Sequence, residues 1–138
     1  VIAASIALGS ALEKTGAAAV IADGVVNVAA GSPMASLAAI FVVTALFSAV
    51  ISNLAAAVIV FPIALAASQQ LGVNMLPFAV TLMMAASASF ATPIGYQTNL
   101  MVYGPGNYRF SDFFKMGVPL TLLVGIVTVL IVPQVWSF

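Results

Sequence analysis

The sequence predicts an all-α integral membrane protein that contains a re-entrant helical hairpin and a discontinuous transmembrane helix. Hydrophobic residues make up 64% of the 138 residues, charged residues make up 4%, and the mean hydropathy is +1.26. Soluble domains carry about 25% charged residues, so this chain lacks the polar surface that water requires. Polar residues interrupt the apolar sequence at 52–53 and at 92–99, and these interruptions predict where helices break.

The composition also excludes several classes of function. The six charged side chains balance to a net charge of zero, so the chain has no net basic face for nucleic acid and no net acidic face for basic partners. It has no Cys and no His, which excludes disulfides, thiolate or imidazole metal sites and a catalytic Cys or His. We expect no enzymatic chemistry. Because the chain begins at Val1 within apolar sequence, we also expect it to be part of a longer protein.

The first elements are short. Residues 1–12 are predicted to be the end of a truncated helix, closed by charged residues and the glycine at position 16. Residues 13–33 are predicted to form an interfacial arm, in which Asp23 and Asn27 lie on one helical face. The arm ends where Ser32 and Pro33 begin the next helix as N-cap and first helical residue.

The next element is the hairpin. The most polar interruption of the apolar residues 34–67 is the pair Ser52-Asn53, and one helix of that length would measure roughly 51 Å against a hydrocarbon core of about 30 Å. We therefore predict a re-entrant hairpin over residues 34–68, with arms Met34–Ile51 and Ala55–Ser68 and the polar pair at its tip. The alternative is that Ser52 and Asn53 bond to carbonyls of their own or a neighbouring helix.

A broken transmembrane helix is predicted over residues 75–104, after a polar turn. Pro93 cannot donate a backbone hydrogen bond and Gly95 tolerates positive φ, so the helix is expected to unwind there. The alternative is a proline kink whose polar residues face a helix interface. The predicted parts are, in order, a helix over Pro77–Ala91, a break over Thr92–Asn99 and an apolar continuation over Leu100–Tyr103.

Residues 113–137 are predicted to be the last transmembrane helix, with Trp136 and Phe138 as an interfacial anchor. The preceding loop, residues 104–115, carries Arg109 and Lys115. The positive-inside rule places that loop in the cytoplasm. The hairpin then enters the membrane from outside, and the C-terminus is external.

Two broken segments that follow each other in sequence are typical of the midplane sites of secondary transporters. The N–H groups that start the second hairpin arm favour an anion, and the carbonyls that end the first arm favour a cation. Because no charged residue is available in either break, neutral hydrogen bonds, dipoles and a co-bound cation must hold the anion. The sequence therefore predicts ion-coupled anion transport. A non-transporting fragment with an assembly role and an anion channel-like pore remain as alternatives.

Several stretches resemble the divalent anion/sodium symporter family. Ser52-Asn53-Leu54, followed by three alanines and by Phe61-Pro62-Ile63, resembles the Ser-Asn-Thr hairpin signature of that family. Residues 92–104 look like its unwound helix, and residues 105–113 are similar to a bacterial and algal branch whose permeases carry inserted TrkA-type C-terminal domains. Residues 8–16 fit the helix before the hairpin arm.

The resemblance implies a homodimeric elevator-type transporter of two inverted-topology repeats in the bacterial inner membrane. Residues 1–138 would be its C-terminal transport repeat and would work with the N-terminal repeat of the same protein. The transport reaction would be sodium-coupled symport of a divalent anion, either sulfate or a small dicarboxylate. The residues that the resemblance places at the substrate are Ser52, Asn53, Leu54, Tyr96, Gln97, Thr98 and Asn99. Those that it places at the coupling sodium ion are Ser48, Ile51, Asn53 and Gly95.

Two departures from the family pattern bear on the substrate. Leu54 stands where the family has Thr, which removes a hydroxyl from the hairpin tip. Tyr96-Gln97-Thr98 stands where the dicarboxylate transporters have Thr-Pro-Pro. Both departures weaken the case for a dicarboxylate and leave a compact oxyanion such as sulfate at least as plausible.

Overall fold

The computed structural model describes residues 2–138, and within that range the chain forms seven helices and no strand. The prediction of an all-α protein is confirmed. Val1, where the predicted truncated helix begins, lies outside the described residues. The helices are α1 (Ile2–Lys14), α2 (Ala17–Val28), α3 (Pro33–Val50), α4 (Asn53–Leu71), α5 (Met75–Ser87), α6 (Gln97–Tyr103) and α7 (Phe110–Val135).

Helices α3 and α4 are joined by only Ile51 and Ser52, both in extended conformation. The Ser52 hydroxyl accepts a hydrogen bond from the Ala55 N–H at 3.3 Å, so Ser52 is the N-cap of α4 and Asn53 is its first residue. Leu37 and Ala67 are equally far from Ser52 along the chain and lie in the same buried cluster. The two helices therefore fold back on each other at the polar pair.

Helix α4 continues to Leu71, beyond the predicted end of the hairpin arm at Ser68. It ends at Gly72, whose φ of 66° is a left-handed conformation that glycine adopts without steric cost. The Gly72 N–H donates to the Gln69 carbonyl and the Val73 N–H donates to the Ser68 carbonyl. This hydrogen-bonding pattern satisfies carbonyls of the last turn and explains why the helix stops at the glycine.

Helix α5 ends at Ser87, earlier than the predicted Ala91, and α6 begins at Gln97. The break therefore covers residues 88–96, and the polar residues Gln97, Thr98 and Asn99 lie in the first turn of α6 rather than in the break. A residue before proline is disfavoured in helical conformation, which prevents α5 from continuing through Thr92-Pro93.

Helix α7 begins at Phe110, so the predicted loop over residues 104–115 is non-helical only to Arg109. The Arg109 N–H donates to the Asp112 carboxylate at 2.8 Å, which fixes the start of the helix. At the other end of the chain, the Phe138 ring lies 6.4 Å from the ring of buried Phe78. Phe138 thus contacts α5 in this structure.

The core is formed by α2, α3, α4 and α5. Ala18 and Ala22 of α2 are buried against this cluster, while Asp23 and Asn27 are exposed. The predicted arm is therefore a helix packed onto the hairpin through its alanine face. The alanines let the two backbones approach each other closely.

Three helices are long and apolar enough to cross a membrane: Pro33–Val50, Asn53–Leu71 and Phe110–Val135. At 1.5 Å per residue, α3 and α4 each measure roughly 27–29 Å, close to the thickness of a bilayer core. Length and composition thus agree with a membrane protein. The re-entrant path of the hairpin, the side of the membrane and the inverted repeat remain predictions.

Candidate functional site

The helix ends that flank the two breaks contact each other through Ser48, which lies in the last turn of α3 and is fully buried. Its hydroxyl oxygen lies 2.6 Å from the carbonyl oxygen of Ala86, near the end of α5. The same oxygen lies 2.9 Å from Oδ1 of Asn53, at the start of α4. One side chain therefore connects the ends of three helices.

The single proton of a serine hydroxyl limits how this cluster can be bonded. Ser48 can donate to only one of its two neighbours at a time. If it donates to Ala86, the Asn53 amide completes the network by turning its nitrogen toward Ser48 and donating to it, an orientation that fits the same atomic positions. In that arrangement every hydrogen bond has a donor, and the amide oxygen of Asn53 is free to bind a cation.

Gly95, in the second break, packs against the C-terminal end of α3. A β-carbon at Gly95 would lie 2.5 Å from the carbonyl oxygen of Ser48 and 3.1 Å from that of Ala49, so only glycine fits there. The hydroxyl of Thr92 donates to the Ala49 carbonyl and accepts from the Gly95 N–H at 3.3 Å. The end of α3 and the break are thus joined by hydrogen bonds as well as by close packing.

Asn99 holds the break from the α6 side. Its Nδ2 donates to the carbonyl oxygens of Ser89, at 3.3 Å, and of Thr92, at 3.1 Å. These carbonyls follow the end of α5, where no further helical N–H is available to them. Both amide protons are used in this way, so only the amide oxygen of Asn99 remains for a ligand.

The residues predicted to face the substrate lie at the starts of two helices. Ser52 and Leu54 are exposed at the N-terminus of α4. Tyr96, Gln97 and Thr98 are exposed at the N-terminus of α6. Among residues 2–138 no hydrogen bond joins these two groups. The structure therefore brings Ser48, Asn53 and Gly95 together, whereas no hydrogen bond among the described residues links the two exposed groups.

Of the predicted sodium ligands, Ile51 lies at the C-cap of α3, with its N–H donating to the Phe47 carbonyl at 2.9 Å. The α3 carbonyls that follow Phe47 have reached the end of the helix. The oxygens beside Gly95 are the uncharged backbone carbonyl oxygens of Ser48 and Ala49. Among the described residues no group of three or more His, Cys, Asp or Glu side chains is arranged to hold a metal ion.

Three further residues make contacts at the breaks. The sequence pattern predicts Thr92 only as the start of the second break and predicts no role for Thr121 and Gly117 of α7. Thr121 donates to the carbonyl of Ala88 at 3.2 Å. A β-carbon at Gly117 would overlap the carbonyl of Phe90. The spacing of Gly117 and Thr121, four residues apart on one helical face, is the sequence signal that indicates close packing there.

Two open grooves flank the second break. One, of about 770 Å³, lies between α3 and α7 and is almost entirely apolar, with Ala88, Ala91 and Thr92 among its lining residues. The other, of about 600 Å³, lies between α6 and α7 and includes Asn99, Asp112 and Lys115. Neither includes Ser52 or Asn53 among its lining residues, so the hairpin tip lies outside both grooves.

Comparison with known proteins covers the whole chain. Residues 1–138 match the citrate transporter family. An uncharacterized transporter of Escherichia coli, YfbS, is 46% identical over 129 residues, which is 93% of this chain and 21% of that protein. Sodium/sulfate cotransporter 1 of Chlamydomonas reinhardtii is 41% identical over 91% of this chain and 14% of its own length. Probable sodium/sulfate cotransporter 3 of the same alga is 38% identical over 98% of this chain and 16% of its own length. The chain thus spans about a fifth or less of these curated relatives.

Proposed function

The chain belongs to the citrate transporter family, and from this membership we propose that the full-length protein is a secondary active transporter that moves a small divalent anion together with sodium. The resemblance to sodium-coupled anion symporters drawn from the sequence agrees with relatives that are named sodium/sulfate cotransporters. Because this chain spans only part of those relatives, the proposal concerns the complete protein. This chain would contribute one half of the transport site.

The observation that carries the proposal is the position of Ser48 between the two breaks. Its hydroxyl contacts Ala86 and Asn53, and its carbonyl faces Gly95, so the C-terminus of α3 and the N-terminus of α4 both lie at the unwound segment. A helix C-terminus favours a cation and a helix N-terminus favours an anion. This juxtaposition supports binding of both solutes at one place.

We propose that the coupling sodium ion lies at the carbonyls of Ser48 and Ile51, the amide oxygen of Asn53 and the backbone of Gly95. The donors are all uncharged oxygens, which suits a hard cation. A side chain at Gly95 would occupy the space beside the Ser48 carbonyl, which fits a position kept open for an ion or for close backbone approach. The bound ion would supply the positive charge that the site residues lack.

The anion would bind beside the N-terminus of α4, at Ser52, Asn53 and Leu54. The start of α6, at Tyr96, Gln97, Thr98 and Asn99, would complete the site from this repeat. The first N–H groups of a helix have no intrahelical acceptor and can donate to an oxyanion. None of the six charged residues of the chain lies in either break, so these N–H groups and neutral side chains would hold the anion.

We propose sulfate as the first candidate substrate. Leu54, half exposed at the start of α4, offers no hydroxyl to a second carboxylate. Relatives that are 38% and 41% identical are named for sulfate. The second candidate is a small carboxylate, since the family description names citrate.

For the transport cycle we propose alternating access of the elevator type, in which the hairpin and the broken helix move together against the rest of a homodimer. The hydrogen bonds of Ser48 and Thr92 to partners across the breaks support motion as a unit. The N-terminal repeat of the same protein would supply the other half of the site.

Uptake by the purified full-length protein in proteoliposomes tests the proposal. We expect saturable accumulation of labelled sulfate under an inward sodium gradient and none under an equal potassium gradient. Inhibition of this uptake by excess citrate or succinate would place the substrate among the carboxylates. Non-saturating, sodium-independent flux would indicate a channel-like pore, and no flux of any of these anions would leave an assembly role.

A further inference from the structure

The unwound segment between α5 and α6 is held from three sides. On one side Ala49 of α3 accepts a hydrogen bond from Thr92, and Ser48 contacts Ala86 in the last turn of α5, just before the segment; Asn99 of α6 holds it from a second side. The third side is the last helix, α7, to which neither the sequence nor the relatives assign any part in the site. The contacts between α7 and the unwound segment involve residues 88–91, which precede Pro93.

The first contact from α7 is a hydrogen bond. The Thr121 hydroxyl donates to the carbonyl oxygen of Ala88 at 3.2 Å. Ala88 is the C-cap of α5 and is 3% exposed, so its carbonyl has neither a following helical turn nor open water to satisfy it. Among the described residues, the side-chain donor to this carbonyl is Thr121, which lies on another helix.

The second contact is steric. Gly117 precedes Thr121 by one helical turn and is buried against the backbone of residues 90 and 91. A β-carbon at Gly117 would overlap the Phe90 carbonyl, a backbone group that cannot rotate away as a side chain could. Glycine at 117 therefore allows α7 to approach closely enough for Thr121 to reach Ala88.

We propose that Thr121 and Gly117 are positioning residues of the transport site, which set the place of the unwound segment and through it the place of Gly95. Only a few residues separate the Thr121 contact at Ala88 from Gly95. From Ala88 the backbone continues through Ser89 to Thr92, whose hydroxyl contacts both the Ala49 carbonyl and the Gly95 N–H. This inference rests on the proposed function, because it assigns α7 a part in sodium binding at that same site.

The experiment compares three substitutions in the full-length protein. Thr121→Val keeps the shape of the side chain and removes the hydroxyl, whereas Thr121→Ser keeps the hydroxyl. Thr128→Val is the matched control, since Thr128 is buried on the same helix about two turns further from the break. The readouts are the sodium concentration for half-maximal uptake and the maximal uptake rate per assembled protein.

We expect Thr121→Val to raise the half-maximal sodium concentration about fivefold, the effect of losing one ordinary hydrogen bond, with the maximal rate within about twofold. Thr121→Ser and Thr128→Val should both retain the wild-type value. An unchanged sodium dependence in Thr121→Val overturns the proposal. So does a loss of maximal rate at unchanged sodium dependence, which is the result of a merely structural role. If the valine variant does not accumulate, Thr121→Ala must show the same result, a raised half-maximal sodium concentration with the maximal rate within about twofold.

A second measurement separates this inference from the proposed function. Ile94 lies in the break, is 59% exposed and is not a proposed ligand, so Ile94→Cys reports the position of the segment through its rate of labelling by a maleimide. Residues 1–138 contain no other cysteine that would react. If the wild-type protein shows no sodium-driven uptake, the proposed function fails. The positioning inference then stands only if Thr121→Val changes the labelling rate and Thr128→Val does not.

Discussion

The carbonyl oxygen of Ser48 lies 2.5 Å from the point that a β-carbon on Gly95 would occupy. This close approach places the end of α3 against the unwound segment between α5 and α6. A β-carbon this close to a backbone oxygen requires one of the two segments to move. The close approach therefore depends on glycine, and the geometry of both breaks depends on the approach.

Gly95→Ala is expected to abolish sodium-coupled uptake while leaving the protein in the membrane, because the methyl group displaces the unwound segment from the end of α3. Gly24→Ala is the control, since nothing lies within 4 Å of a β-carbon there and alanine is the better helix former. The measurement is sulfate uptake normalised to the amount of reconstituted protein. Normal uptake by Gly95→Ala would contradict the proposed role of this approach.

Asn53→Ala is expected to abolish coupled uptake and to leave membrane insertion intact. The substitution removes the amide that contacts Ser48 and that would contribute its oxygen to the sodium ion. Asn27→Ala, on the exposed face of α2, should transport normally. Uptake and sodium-dependent protection from thermal unfolding are measured for both variants. Transport at the wild-type level by Asn53→Ala would remove this residue from the site.

Ser48→Ala is expected to lower the free energy of unfolding in detergent by about 1–3 kcal/mol, because it leaves the buried Ala86 carbonyl without its hydrogen-bond donor. Ser36→Ala is the matched control on the same helix. Ser36 is also fully buried, but its hydroxyl has no hydrogen-bond partner within the part of the chain that the structure describes. The control should therefore be neutral or slightly stabilising. Equal destabilisation by the two substitutions would mean that the Ser48 contact contributes little.

Leu54→Thr is expected to shift selectivity from sulfate toward small dicarboxylates. The new hydroxyl would lie at the start of α4, where Leu54 is 50% exposed, and could donate to a second carboxylate. Leu46→Thr, which places the same hydroxyl on an exposed position of α3, should leave selectivity unchanged. The ratio of succinate to sulfate uptake is measured under one sodium gradient. A ratio equal to that of the wild type would show that Leu54 does not set substrate choice.

The predicted topology is tested with single cysteines introduced at Asn107 and at Ser137, both of which are exposed. With the loop before α7 in the cytoplasm and the C-terminus outside, a membrane-impermeant maleimide should label position 137 in intact cells and position 107 only after permeabilisation. Labelling in the opposite order would reverse the orientation drawn from Arg109 and Lys115.

Much of the fold follows from the sequence because membrane insertion depends on summed hydrophobicity. The polar pair at Ser52-Asn53 and the proline at position 93 locate the two interruptions, since each alters local backbone bonding in a way that neighbouring apolar residues do not. The exact ends of the helices differ from the predicted ones. Helix α5 stops at Ser87, before the proline, and side chains on α3, α6 and α7 donate hydrogen bonds to the carbonyls of Ala86, Ser89 and Ala88 at this helix end.

The contacts within the candidate site are harder to predict from the sequence than the helices are. The family resemblance assigns Ser48, Asn53 and Gly95 to one ion site, and the structure brings them together. Neither the resemblance nor the sequence identifies the partner of Thr121, since a threonine in an apolar helix gives no local sign of which group it bonds. Thr44 shows the alternative, because its hydroxyl donates to the Ile40 carbonyl of its own helix at 2.7 Å.

By itself the sequence determined that this is a helical membrane protein with two polar interruptions, because those properties come from composition and from the local chemistry of proline, glycine and capping residues. Only the tertiary structure decided which side chains bond to the backbone carbonyls at the helix ends beside the two interruptions. The hydrogen bonds from Ser48 to Ala86, from Thr92 to Ala49 and from Thr121 to Ala88 join residues 38, 43 and 33 positions apart. A hydroxyl can bond its own helix or a neighbour at similar cost, so packing of the whole chain must choose between them.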